Sequence, residues 1–143
     1  NLEGDLKERF AKFLQNAWRS HGIFYSLMRT EAIKKNTVLN FSYAGTDWSF
    51  NFFLLSKGKI NRTKEGLIVF GRYGVSMSKN RWRVFNNKPI EFLIPLYGFS
   101  MYALGLMKNL NYYEWTYVFF KLLKVNLQSI KSNCIMTIKE CIK

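Results

Sequence analysis

Little in this chain can do metal or imidazole chemistry. Its 143 residues include one histidine, His21. That excludes a ribonuclease mechanism built on paired imidazoles, and metal motifs of the H-E-x-x-H kind. His21, before Gly22, reads as a cap or surface residue rather than a general base. The two cysteines, Cys134 and Cys141, lie seven positions apart. On a helix that spacing is a rise of about 10.5 Å. A disulfide needs Cα atoms within about 7 Å. The pair therefore reads as reduced thiols on one apolar stripe, and a C-x-x-C metal or redox site is absent. No cofactor and no metal are expected.

Proline is also scarce, with only Pro89 and Pro95, and no Pro/Ser linker or repeat divides the chain. Residues 1–143 are read as a single domain. The longest uncharged run, Phe92 to Met107, covers 16 residues and contains Pro95, Gly98 and Gly105. A membrane span needs about 20. The run reads as a buried segment, with an interfacial piece as the alternative.

The deficit with most meaning is in carboxylates. Lys and Arg outnumber Asp and Glu by 22 to 9, for a net charge of +13 and a pI near 9.9. Such an excess costs self-repulsion and points to an anionic partner. It is unevenly spread. Residues 57–88 contain nine basic side chains against Glu65 alone, for +8. A solvated face normally intersperses both signs.

What is present is apolar and aromatic, at 48% and 17% of residues. Leu2, Leu6, Phe10, Phe13, Leu14 and Ala17 recur at helical spacing, and a second helical piece is expected from Ile23 to about Lys35. The period then changes to two. Leu39, Phe41 and Tyr43 alternate with Asn40 and Ser42; Trp48, Phe50, Phe52 and Leu54 alternate with Ser49 and Asn51. Around Ala44-Gly45-Thr46-Asp47 this predicts a β-hairpin. "LIVFGRYGVSM" and "RWRVF" predict two further strands. From Ile90 onward the pattern is helical again. A final helix near Glu114 carries a stripe of Leu123, Leu127, Ile130, Cys134, Ile138 and Cys141, with Lys121, Lys124, Lys131 and Lys139 mostly facing away. The expected fold class is α+β: N-terminal helices, a central antiparallel sheet of about four strands, then C-terminal helices.

On the fourth strand, Arg81 and Arg83 would share one face while Trp82 and Val84 take the other. With Arg72, Lys79 and the loop cations they would form a platform for a phosphate backbone, with Tyr73 offering a ring for an unpaired base. The predicted catalytic group is Arg72, Tyr73, Lys79, Arg81 and Arg83; the predicted nucleic-acid contacts are Lys57, Lys59, Arg62, Lys64 and Lys88. RNA is favoured, since its 2′-hydroxyl is a built-in nucleophile and the protein would mainly stabilise phosphorane charge. Asp47, Glu65 and Glu91 read as turn, surface-pair and first-turn residues.

This layout is similar in outline to small bacterial ribonuclease toxin domains, without a shared motif. The likeness implies an acidic inhibitor or immunity-type partner. It also implies action in a reducing cytosol after delivery from a larger secreted protein. A first residue that is Asn1 rather than Met fits such release, and equally a trimmed chain. Whether the chain is an enzyme is left open. The alternatives are a non-enzymatic binder of nucleic acid or acidic protein, and a membrane-active domain using residues 92–107.

Overall fold

The structure is a computed structural model that describes residues 1–19, 28–34, 36–61, 85 and 88–142. In chain order the helices are α1 (Leu6–Asn16), α2 (Thr30–Lys34), α3 (Thr46–Lys57), α4 (Pro89–Leu93), α5 (Tyr97–Leu106) and α6 (Tyr112–Cys141). Short 3-10 turns occupy Ala17–Arg19, Val38–Asn40 and Met107–Asn109. Among the described residues there is no strand or sheet. The one extended pairing among the described residues is an isolated antiparallel bridge between Leu2 and Ile60.

The α+β expectation is therefore corrected to a mostly helical fold. The predicted hairpin is the clearest error. Its first arm contains a 3-10 turn, and its second arm is α3. Trp48, Phe52 and Leu55 of α3 enter the main core, while Phe50, Phe53 and Leu54 enter a second cluster with Val38. Ser49 and Asn51, read as the polar face of a strand, are buried too. A helix enclosed on all sides loses its 3.6-residue signature. The alternation of large and small side chains then imitates a period of two. The third and fourth predicted strands lie outside the described residues, except Phe85, which is helical and exposed. The likeness in layout to ribonuclease toxin domains falls with the sheet.

Local chemistry sets the helix boundaries. Asp5 caps α1, its carboxylate accepting from the Glu8 N–H at 2.8 Å. α3 opens at Gly45, whose φ of +87° is left-handed backbone that suits glycine. Pro89 starts α4, where its missing N–H costs nothing. Asn111 and Glu114 form a reciprocal capping box at the start of α6, at 3.0 and 3.1 Å.

The core is an aromatic stack. Phe10 of α1 lies on Phe52 of α3, with ring centroids 3.9 Å apart. Phe99 of α5 meets Phe52 and Trp48 edge-on at 5.8 Å each. Phe10, Phe13, Phe52 and Phe99 are fully buried. Each such side chain contributes roughly 1.5–3 kcal/mol by leaving water. α6 closes the core with Val118, Leu122 and Val125. It is locked to α5 by buried Asn126, whose side-chain N–H donates to Ser100 Oγ at 2.8 Å. Arg9 ties α1 to α3 through a hydrogen bond from Nε to the Leu55 carbonyl, 3.0 Å.

Tyr43 fills the corner before α3. Its hydroxyl donates to Ser49 Oγ at 2.8 Å, and its ring lies against Gly98 of α5. A Cβ at Gly98 would stand 2.5 Å from Tyr43 Cγ, whereas one at Gly105 meets nothing within 4 Å. Gly98→Ala is expected to lower stability by about 1–3 kcal/mol. Gly105→Ala, at an exposed helical position, is expected to raise it by about 0.5–1 kcal/mol. Urea denaturation of the two variants beside the parent chain measures both.

Burial pushes the Tyr43 hydroxyl above its ordinary pKa of 10.0, and the Ser49 hydrogen bond offsets this in part. Tyr102 is raised likewise, by burial and then by Tyr43. A phenol whose pKa is raised on folding holds its proton more tightly in the native state. Its contribution is complete below pH 10 and is lost as pH climbs through the folded value. Unfolding free energy should therefore decline above about pH 10. Tyr43→Phe should show a shallower decline there, together with lower stability near neutrality from the lost Ser49 bond.

Candidate functional site

Three of the ten predicted site residues are described. Lys57 ends α3, where a cation is favoured by the helix dipole, and its Nζ stands 5.4 Å from the Phe53 ring centre. Lys59 follows two residues later and is exposed. Lys88 is the N-cap of α4, exposed, with its backbone N–H donating to Glu91 Oε2 at 3.1 Å. Arg62, Lys64, Arg72, Tyr73, Lys79, Arg81 and Arg83 lie outside the described residues. The platform expected from strand alternation does not extend into α3, which is a helix.

Five of the nine carboxylates have local tasks, Glu91 among them through the Lys88 N–H at the start of α4. Asp5 caps α1 and lies 3.7 Å from Lys7. Glu8 pairs with Lys12 at 3.9 Å and Glu31 with Lys34 at 2.8 Å. Glu114 closes the α6 capping box. These exposed pairs are worth little energetically. They do commit scarce negative charge to the N-terminal half and to the starts of α4 and α6.

An open groove of about 530 Å³ runs between α1 and the start of α6, lined by Lys7, Glu8, Lys12, Tyr113, Glu114 and Tyr117 among others. Its charges are those already paired or capping, and it reads as the seam between two helices. Among the described residues no three His, Cys, Asp or Glu side chains gather as metal ligands. Tyr43 and Tyr102 are shifted away from neutrality, so neither is poised as a base near pH 7.

The feature that sequence reasoning assigned to the wrong side is on α6. Its core face is Val118, Leu122, Val125, Asn126 and Ser129. At about 100° per residue these fall in one arc. Centred opposite them lie Tyr113, Phe120, Leu127, Cys134 and Ile138, all exposed. The expected apolar stripe thus faces outward: Leu123, Leu127 and Ile138 are 41%, 59% and 58% exposed, and both cysteines are free and exposed. Lys124 and Lys131, expected on the other side, fall within this same outward arc and are exposed. Lys121 flanks it, its Nζ 5.2 Å from the Tyr117 ring centre. The spacing singled out one apolar stripe, and the structure covers a second side instead, that of Val118, Leu122 and Val125. Spacing alone could not show which side α1 and α5 would cover.

No family model matches the chain, and no curated protein or solved structure matches it either.

Proposed function

We propose that this chain is a small, strongly basic helical domain that binds single-stranded RNA through residues 57–88. The observation that carries the reading is the unbalanced charge of that stretch, nine cations against Glu65. Five of the described carboxylates support it from the other side. Asp5, Glu8, Glu31, Glu91 and Glu114 are engaged within their own helices and caps. Lys57, Lys59 and Lys88, which bracket the stretch, are exposed. Neutralising phosphates with such cations releases counterions, which makes binding strongly salt-dependent. Arginine adds bidentate contact, and Tyr73 or Trp82 adds a surface for base stacking.

Titration of a labelled single-stranded RNA at several salt concentrations tests this. The expected result is binding at low salt that weakens as salt rises. Arg81→Ala with Arg83→Ala should flatten the slope of log affinity against log salt by about 1.4, or roughly 0.7 per lost phosphate contact on a single strand. RNA fragments that appear with the parent chain and vanish with the double variant would extend the reading to cleavage. Absence of a salt-dependent complex, or a double variant that binds as the parent does, sinks it.

A further inference from the structure

Among the described residues, the outward face of α6 is a feature that RNA binding does not use. Leu127, Ile135 and Ile138 are aliphatic and 59%, 43% and 58% exposed. They offer nothing to a phosphate and no ring to a base. Phe120 and Tyr113 extend the same face, at 62% and 84% exposed. From Tyr113 to Ile138 it runs for about 38 Å along the helix. A row of exposed apolar side chains of this length points to an interaction site rather than a solvated side.

Its charge selects the occupant. Lys124 and Lys131 sit within the face, and Lys121 and Lys139 sit on one flank. The two carboxylates of α6, Glu114 and Glu140, lie more than about 100° round the helix from its centre. A second copy laid face to face would set lysines against lysines, on two chains of +13 each. An anionic lipid surface complements both properties at once. Apolar side chains enter the boundary between headgroups and acyl chains, while lysine stems lie along it and their ammonium groups reach the phosphates. Among the described residues no helix is long and apolar enough to cross a membrane, so the matching geometry is a helix lying flat in the interface.

We infer that the uncovered face of α6 docks on an anionic phospholipid surface, with Phe120, Leu127 and Ile138 as apolar anchors and Lys124 and Lys131 on lipid phosphates. This goes beyond the RNA reading and uses different residues. It is distinct from the interfacial alternative for residues 92–107, a run in which Leu96, Phe99, Ala103 and Met107 are buried and Phe92, Leu93 and Met101 are exposed.

Flotation of the full chain with vesicles tests it, using phosphatidylcholine alone and phosphatidylcholine mixed with phosphatidylglycerol. The chain should float with the mixed vesicles only, and a substantial fraction should stay bound at high salt, because apolar insertion is not screened. Phe120→Glu with Leu127→Glu should cut partitioning on the order of tenfold or more. Both positions are exposed, so the helical circular dichroism should be unchanged. Lys124→Glu with Lys131→Glu, a second variant independent of the apolar anchors, should weaken binding most at low salt. Arg81→Ala with Arg83→Ala should float as the parent does, which separates this face from the RNA reading. Equal flotation with neutral vesicles overturns the inference, as does flotation that survives both α6 variants. A dimer in sedimentation that Leu127→Glu dissociates, without vesicle binding by the parent, assigns the face to a second copy instead.

Discussion

The enclosure of α3 is the constraint on which the other helices depend. Phe52 is the meeting point: Phe10 stacks on it from α1, and Phe99 meets it edge-on from α5. Trp48 and Leu55 continue that side, while Phe50, Phe53 and Leu54 hold the second cluster on the other. With α3 covered in both directions, α1 and α5 are fixed about it, and α6 can close only with the side that fits. That side is modest in size and partly polar. Asn126 and Ser129 are tolerated in it because Asn126 donates to Ser100 and to the Leu122 carbonyl, and Ser129 donates to the Asn126 carbonyl. Packing fit, rather than maximal hydrophobicity, decides which way the long helix faces.

The two proposed surfaces share an origin in the same shortage. Nine carboxylates serve 143 residues, and Asp5, Glu8, Glu31, Glu91 and Glu114 are used at caps and short-range pairs. Cations outnumber the carboxylates that remain. In residues 57–88 they stand close together in sequence, which suits a polymer of phosphates. On α6 they are interleaved with aromatic and aliphatic side chains, which suits a surface with an oily layer behind its charge.

Much of the helical framework was legible in the sequence. The α1 stripe, the helical pattern from Ile90 with Glu91 in a first turn and the long helix near Glu114 all obey local rules, and the structure uses them. Two things were not legible, for related reasons. Period-two alternation from Trp48 to Leu54 reflected large and small side chains arranged around a fully covered helix, and only tertiary contacts could distinguish that from a strand. α6 carries apolar residues on both sides, and covering one leaves the other free. Of the predicted site, the exposure of Lys57, Lys59 and Lys88 followed from their charge. Grouping the arginines on one face rested on strand geometry that the described part of the chain does not have.

The misreading of α3 has a physical counterpart in the nascent chain. Eight consecutive residues, Trp48 to Leu55, are buried when folded, and none carries a charge. Until α5 and α6 have been synthesised, those aromatics have only part of their native cover, from α1 and Val38. An uncharged, aromatic-rich run without proline is what cross-β stacking between chains selects. Asp47 and Lys57 bracket it on either side, and they act as the charged gatekeepers of an otherwise sticky segment.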